Sequence, residues 1–398
     1  MKKAFLLLLC GTLAFCACQK DPVPSADTTL DGEAVDVSDF SSSSAQKLFV
    51  LSEGGMGANN STLDFLRFSD GKYITNAFGK MNPEEKAGLG DVGNDIAIHG
   101  NEAWIVVNNS GIVEVISADN EEEIAAITVP TPRNIAFDSQ YAYVTSWAGA
   151  YVTYGEKGAV VDSSNPKGQV YRIGLDSKKV EGSVEVGFQP EGVAVYNGKI
   201  YVANSGGISS QLAPDYAYDN TVSIIDAKTF TVEKSVEVQV NLKSVYADSQ
   251  GNIYVTTLGN YFSVHSGLYR FPAADPTQVI QVKSTSDEFA HVSASCQLGD
   301  EIYCVGTGDD EFDYYAAHSY YVWSVEGNRA THYPIRLSGN PYGIQVLKGD
   351  LSLSFLMVGD AGDYFNPGTV SCYRLDHNSN EMLWSVTAGV CPGHFALY

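Results

Sequence analysis

One short phrase recurs seven times along the chain, and it constrains the fold more than any other feature of the sequence. Each copy opens with a turn, usually marked by Pro or Gly, and continues through two small or polar residues into an alternating apolar strand. The copies begin at Gly93, Pro132, Pro190, Leu242, Phe289, Pro341 and Pro392. Self-similarity at intervals of about 40–60 residues is typical of architectures that repeat one small sheet.

Most copies are followed by further short strands in which apolar and polar residues alternate. After the copy at Pro190 come the segments 199–203, 221–226 and 232–238, separated by polar turns. Period-two alternation with turn punctuation indicates half-buried antiparallel strands. Four such strands in each of seven units predict an all-β fold, a seven-bladed β-propeller.

The two ends of the chain complement each other. The seventh copy has no second strand after it, and Lys47 to Ser52 has the pattern of a second strand with no first strand before it. Residues 394–398 are therefore predicted to pair with this N-terminal strand and to close the ring, which removes exposed sheet edges. A simple β-sandwich is the alternative, but it explains neither the repeat nor the complementary ends.

Residues 1–18 have the pattern of an export signal. Lys2 and Lys3 precede an apolar segment that runs to Phe15 and is too short to span a bilayer. The Ala17-Cys18 step resembles a bacterial lipoprotein cleavage box, so Cys18 is the predicted lipidation site. Cys16 remains a rival position, and secretion without lipidation is the alternative.

The segment 19–45 is polar, with Pro, Ser and acidic residues, and this composition predicts a flexible tether before a propeller domain at 46–398. The charged residues after Cys18 resemble surface-export signals of Bacteroidetes lipoproteins, which implies the outer membrane and its exterior face. The formal charge of −23 disfavours nucleic acid as a partner. Solubility alone is an equally good explanation of that charge.

The predicted domain contains four cysteines, which favour disulfides or buried thiols over redox chemistry. They are Cys296, Cys304, Cys372 and Cys391. Their spacing does not match a zinc site. The acidic stretch 309–313 lacks the spacing of a calcium-binding loop and is predicted to be solvated. No metal site is therefore expected.

The loops between second and third strands should share one face with the starts of the innermost strands, around a central channel. Several, such as 147–168 and 204–220, are long for hairpin loops, and long loops on a rigid scaffold usually carry function. Many of their side chains are aromatic and give large contact area at low entropy cost, although loop-on-loop packing is an alternative role. The predicted ligand-binding residues are Asn94, Arg133, Trp147, Tyr151, Glu191, Tyr216, Tyr218, Tyr261, Phe262, His291, Phe312, Tyr314, Tyr315, Tyr342, Tyr364, Phe365 and His394.

Signals of catalysis are weak, because no HExxH, GxSxG or phosphate-loop pattern occurs. The repeat aligns His291 and His394 at equivalent positions near the channel. Either histidine suits a ligand to the metal centre of a bound cofactor, but hydrogen-bonded packing is the better explanation. The chain is predicted to be a binding protein without a cofactor of its own, and not an enzyme.

The segment 200–204, Ile-Tyr-Val-Ala-Asn, and the following strand at 221–226 resemble the YVTN-type propeller repeat. The resemblance covers most of 46–398 and is closest over the third and fourth copies. Together with the lipoprotein-type signal and the aromatic loops, it makes the chain similar to the surface cobalamin-binding (BtuG-like) lipoproteins of Bacteroidetes. That similarity implies capture of cobalamin (vitamin B12) or another corrinoid and its delivery to a TonB-dependent outer-membrane transporter.

Two other functions remain open. YVTN-type propellers also resemble streptogramin lyases and lactonases, which place histidines and carboxylates at the channel mouth; His291, His394 and Glu191 are the candidates here. A glycan-binding or adhesion protein is the third possibility, and a scattered aromatic platform without a deep pocket would favour it.

Overall fold

The computed structural model describes residues 30–40, 45–148, 152–155, 158–161, 166–207, 218–283, 291–307, 311–313, 317–376 and 378–398. Over these ranges the chain forms seven antiparallel sheets arranged in a ring. The protein is a seven-bladed β-propeller, which confirms the predicted fold class. The predicted signal segment and Cys18 lie outside the described residues.

Each blade is built from the axis outwards in chain order, except blade 1, which combines both ends of the chain. Blade 1 contains Pro392–Leu397, Lys47–Ser52, Thr62–Arg67 and Lys72–Ile74. Blade 2 contains Gly93–His99, Glu102–Val107, Ile112–Ser117 and Glu123–Thr128. Blade 3 contains Pro132–Phe137, Tyr141–Ser146, Gln169–Gly174 and Lys179–Glu185. Blade 4 contains Pro190–Tyr196, Lys199–Asn204, Thr221–Asp226 and Thr231–Glu237.

The remaining three blades follow the same order. Blade 5 contains Leu242–Ala247, Asn252–Thr257, Gly267–Pro272 and Ile280–Val282. Blade 6 contains Ala294–Leu298, Glu301–Gly306, Tyr320–Glu326 and Arg329–Leu337. Blade 7 contains Pro341–Lys348, Ser354–Asp360, Thr369–Arg374 and Met382–Thr387.

A few short elements lie outside this scheme. The additional strands are Glu33–Ala34 and a hairpin of Val152–Gly155 with Gly158–Val161, and the helices are the α-helix Ala77–Met81 and the 3₁₀ turns Ser38–Phe40 and Asp350–Ser352. Among the described residues, no helix has the length and apolar character needed to cross a bilayer.

The C-terminal strand closes the ring by pairing with Lys47–Ser52. Leu397 stands opposite Leu48, and Phe395 stands opposite Val50. The amide of Tyr398 also donates to the carbonyl of Lys47 at 2.9 Å. The predicted complementarity of the chain ends is therefore confirmed, and Lys47–Ser52 is hydrogen-bonded along both of its edges.

The core lies between neighbouring blades, because a strand sends alternate side chains to opposite faces of its sheet. In Glu102–Val107, Trp104 and Val106 pack into the cluster shared with blade 3, whereas Ala103 and Ile105 pack into the cluster shared with blade 1. All four are fully buried. At about 25 cal/mol for each Å² of apolar surface removed from water, these interfaces fix the blades against one another. The rigid body that results can hold loops in place.

Residues 30–40, which belong to the predicted tether, dock on the body of the propeller. Glu33 and Ala34 extend the outer edge of blade 1 by pairing with Tyr73 and Lys72. Phe40 is 4% exposed and packs against the aromatic rings of blades 1 and 7. The composition of the segment is polar, but its few apolar side chains are spaced to face the blades, and composition alone does not capture that spacing.

Candidate functional site

The antiparallel order of the strands brings the starts of the innermost strands and the loops between second and third strands to one face, here called the top face. These loops span 53–61, 108–111, 147–168, 205–220, 258–266, 307–319 and 361–368. Backbone hydrogen bonds join the two sets, as where the amide of Gly54 donates to Val390 at 3.0 Å. The opposite end, here called the bottom face, carries the remaining turns.

Strand pairing puts seven residues at equivalent positions around the channel mouth, and we call this set the rim ring. Its members are Asn94, Arg133, Glu191, Lys243, Ser293, Tyr342 and Gly393. Three of the predicted site residues meet here: Arg133 donates to Glu191 through Nε (3.2 Å) and Nη2 (3.1 Å), and through Nη1 to Asn94 (2.8 Å). Lys243 Nζ lies 3.6 Å from the same carboxylate.

The ion pair between Arg133 and Glu191 is almost completely buried. Arg133 and Glu191 are 7% and 1% exposed, so each charge has lost most of its water and depends on the other. The guanidinium of Arg133 also lies 4.6 Å from the ring centroid of Trp147, a cation–π arrangement. Arg133 therefore contacts Trp147 as well as binding Glu191.

A second polar group forms where the chain ends meet. The hydroxyl of Tyr342 donates to Glu53 Oε2 at 2.6 Å, and His394 Nε2 lies 3.0 Å from Glu53 Oε1. Burial opposes ionisation of Glu53, but the hydrogen bonds from His394 and Tyr342 outweigh burial and hold its pKa below the usual value. Burial and the contact with Glu53 raise the pKa of Tyr342 well above its usual value. Two predicted site residues are thus joined through a carboxylate that the sequence did not single out.

Below the rim, the innermost strands enclose a channel with a cavity volume of about 510 Å³. Polar and small side chains line much of it, including Asp95, Asn134, Ser244, Gln297 and Gln345. Burial raises the pKa of Asp95, although Asn134 and the amide of Ile135 donate to its carboxylate. This volume matches a drug-sized ligand, and a wider ligand would lie across the mouth.

The top loops carry aromatic side chains whose exposure to solvent differs widely. Phe365 is 85% exposed, Tyr364 45% and Phe262 40%. Tyr364 contacts Tyr342 edge-on, with ring centroids 6.0 Å apart. Burial raises the pKa of Tyr261 to about 12. Trp147, Tyr218 and Phe312 are half-buried in the same face.

The residue that precedes each innermost strand is unusual. In five blades it is a non-glycine residue with positive φ: Val92 (59°), Thr131 (39°), Gln189 (42°), Asn241 (58°) and Cys391 (54°). Such backbone costs roughly 1–3 kcal/mol per residue and persists where surrounding structure enforces it, often at functional sites.

Polar atoms at these positions are left without partners. Both side-chain amide atoms of Gln189 are buried and, among the described residues, accept or donate no hydrogen bond. The same holds for Oγ1 of Thr131 and, at the rim, for Nε1 of Trp147. Buried polar groups in proteins are nearly always satisfied, so these four atoms are exceptions within the described residues.

Several predicted site residues cannot be placed. Tyr151, Tyr216, Tyr314, Tyr315 and the proposed lipidation site Cys18 lie outside the described residues. Their roles stay predictions.

The predicted equivalence of His291 and His394 is wrong by three residues. His394 stands opposite Leu51, and the residue in the matching position of blade 6 is Ala294, opposite Val305. His291 instead lies at the turn before the strand. Its Nδ1 is 3.2 Å from Glu311 Oε2, not beside Glu191.

Three important residues were missed by the sequence analysis. Glu53 and Glu311 each pair with a histidine, and Lys243 approaches Glu191. Lys243 occupies the same place in its repeat copy as Arg133 and Glu191, so the repeat itself could have identified it. The two glutamates lie in loops, and no local pattern predicts where a loop will bring its side chain.

The four cysteines of the propeller are free, buried thiols in the described chain, which selects one of the two predicted alternatives. Burial raises the pKa of Cys296 and Cys372 to about 12, so neither is a reactive thiolate.

Comparisons with known proteins support the fold. No family model matches the chain, and no curated protein matches it. Among solved structures, hydrazine synthase from Kuenenia stuttgartiensis aligns with a TM-score of 0.57 at 14% identity, over 76% of this chain and 89% of that one. A protein of unknown function from Desulfotomaculum acetoxidans aligns with a TM-score of 0.56 at 11% identity, over 88% and 98%. At these identities the similarity concerns the β-propeller fold alone.

Proposed function

We propose that this protein is a cell-surface lipoprotein that binds cobalamin or a related corrinoid and passes it to a TonB-dependent outer-membrane transporter. The observation that carries the proposal is the convergence of aromatic side chains and polar groups from several blades on the mouth of one channel. The anchor at Cys18, the outer-membrane location and the transporter partner are proposed from the sequence.

The shape of a corrinoid suits this surface. It is a wide, flat macrocycle fringed with amide groups, and exposed rings such as Phe262, Tyr364 and Phe365 offer apolar faces for it. Amide edges require donors and acceptors, and the partly exposed side chains of Lys243 and His394 offer polar atoms near the mouth. The 510 Å³ channel is too small for the whole ligand, so the macrocycle would lie across the rim.

The charges of the rim support a ligand without a large net charge. Arg133 and Lys243 face the carboxylate of Glu191, and the carboxylate of Glu53 is engaged by His394 and Tyr342, so charges of both signs are paired at the rim. A polyanion would have to compete with these carboxylates and with a chain of formal charge −23. The same argument excludes nucleic acid from the proposed partners.

The test is isothermal titration calorimetry of the chain from Gln19 onward with cyanocobalamin and with dicyanocobinamide, which lacks the nucleotide loop. We expect saturable binding of one equivalent with a sub-micromolar dissociation constant. Absence of heat change with every corrinoid, from a protein that melts cooperatively, would reject the proposal.

A matched pair of variants locates the binding face. Phe365→Ala removes an 85% exposed ring from the top face, and Leu351→Ala removes a 95% exposed side chain from a bottom turn. We expect Phe365→Ala to weaken corrinoid binding about tenfold, the value of one aromatic contact. Leu351→Ala should leave it unchanged. Equal effects of the two variants would contradict binding at the top face.

A propeller lyase or lactonase is the second candidate, favoured by the two histidine–glutamate pairs on the top face, His394–Glu53 and His291–Glu311. Turnover of a lactone or a macrocyclic ester that is lost in Glu53→Gln, with no corrinoid binding, would favour this enzyme. Retention on immobilised glycans without either activity would favour adhesion.

A further inference from the structure

We infer that His265, His291 and Glu311 form a binding site for one divalent transition-metal ion on the top face, between blades 5 and 6. The inference goes beyond the proposed function, because it requires no corrinoid. It rests on side chains from three separate segments whose ligand atoms converge: His265 from the loop 258–266, His291 from the turn before blade 6, and Glu311 from the loop 307–319.

The distances match those between ligands of a single ion. Nδ1 of His265 lies 2.7 Å from Oε2 of Glu311, and Nδ1 of His291 lies 3.2 Å from the same oxygen. One ligand atom from each residue lies within 4.8 Å of the other two. In a tetrahedral site with metal–ligand bonds of about 2.0–2.1 Å, neighbouring ligand atoms are roughly 3.3 Å apart. An ion would therefore need only a small adjustment of these side chains.

The donor set specifies the class of ion. Two imidazole nitrogens and one carboxylate oxygen suit zinc and other late first-row divalent ions, whereas calcium and magnesium prefer oxygen ligands alone. Three protein ligands leave a coordination position for water or another molecule. That position is accessible, because the side chain of His265 is 42% exposed while those of Glu311 and His291 are 18% and 5% exposed.

Neighbouring groups hold the ligands in place. The ring of Phe312 stacks on His265, with centroids 4.2 Å apart and an interplanar angle of 24°. The amide of Ser266 donates to Glu311 at 3.3 Å, and the hydroxyl of Ser266 accepts from the amide of Val292 at 2.9 Å. Ser266 thus ties the loop of His265 to the segment of His291. Such outer contacts orient ligands and strengthen metal sites.

The experiment is a zinc titration of the chain from Gln19 onward, after chelator treatment and dialysis, followed by calorimetry. We expect one equivalent of Zn²⁺ with a dissociation constant in the micromolar range or tighter. His265→Ala and Glu311→Gln should each weaken binding about 100-fold or more, because even loss of an outer-shell partner costs 10–100-fold. His332→Ala, which removes a histidine of blade 6 outside the cluster, is the matched control and should bind as the parent does.

Two further readouts distinguish a metal site from a purely hydrogen-bonded cluster. Zinc should raise the melting temperature of the parent and of His332→Ala but not of His265→Ala, since ligands that bind only the folded state stabilise it. Cobalt(II) should give visible absorption bands that zinc abolishes. Absence of saturable zinc binding by the folded parent, or equal binding by His265→Ala, would overturn the inference.

Discussion

The top and bottom faces of the propeller are built from the same repeat. They differ in how deeply their ion pairs are buried and in the length of the segments that connect their strands. On the top face, the ion pair of Arg133 and Glu191 is almost entirely buried, and the segments between second and third strands, such as 205–220, are long in sequence. On the bottom face, Lys199 binds Asp226 at 2.8 Å with both side chains in contact with water, and Asn197-Gly198 makes a two-residue turn. Bottom turns follow local rules, whereas the top loops depend on contacts made across the ring.

The largest expected effect concerns the buried pair at the top. Arg133→Met leaves Glu191 buried with Lys243 as its remaining cation, and we expect a loss of about 3–5 kcal/mol in the free energy of unfolding. Urea denaturation measures this loss. In the double variant Arg133→Met with Glu191→Leu no charge is stranded, so the loss should be much smaller than the sum of the single effects. Strict additivity would contradict the pairing.

A bottom turn offers the next largest effect. Asn197 and Gly198 have φ values of 46° and 72°, and a β-branched residue is strained in that region. Gly198→Val should lower stability by roughly 1–2 kcal/mol, as measured by urea denaturation, and leave corrinoid affinity unchanged. Asn197→Gly, which tolerates the same backbone, is the control. A change in corrinoid affinity in Gly198→Val would contradict the proposal that binding depends on the top face alone.

A smaller effect is expected from pH at the seam of blade 1. The lowered pKa of Glu53 means that its contacts with His394 and Tyr342 stabilise the fold above the unfolded value of 4.5. That contribution is lost as the pH falls through the lower, folded value. Melting temperatures of Glu53→Gln should therefore change less steeply than those of the parent below about pH 4.5. Identical acid profiles would show that Glu53 makes no such contribution.

The smallest effect belongs to the exposed pair at the bottom. Lys199 binds both Asp226 and Glu233 at the surface, where water and salt screen the attraction. Lys199→Met should change stability far less than Arg133→Met, and high salt should remove what difference there is. Thermal melts at low and high ionic strength test this. A large loss of stability in Lys199→Met that does not depend on salt would contradict the difference proposed between the ion pairs of the two faces.

The fold could be predicted from the sequence because its rules are local and repeated. Copies that open with a Pro-containing turn, as at 190 and 341, gave the starts of their innermost strands correctly. The fifth copy was misplaced by three residues because Ser and Ala around 293–296 provide little apolar contrast, and register is then weakly specified.

The candidate site was harder to predict, for a different physical reason. Asn94, Arg133 and Glu191 could be identified because they occupy one position of the repeat, and the structure joins them directly. Glu53 meets His394 across nearly the whole length of the chain, and Glu311 meets His265 through the packing of two loops. Neither contact can be predicted from the residues that surround it in the sequence.

The docking of residues 30–40 restricts how an anchored molecule could stand on a membrane. Phe40 packs where blades 7 and 1 meet, and Arg374 binds Asp39 at 3.0 Å near the bottom turns. If Cys18 carries lipid, the remaining link of residues 19–29 can reach at most about 40 Å when fully extended. The propeller would then pivot from one corner of its underside, with the aromatic loops directed towards the surrounding medium and a large partner able to approach from above.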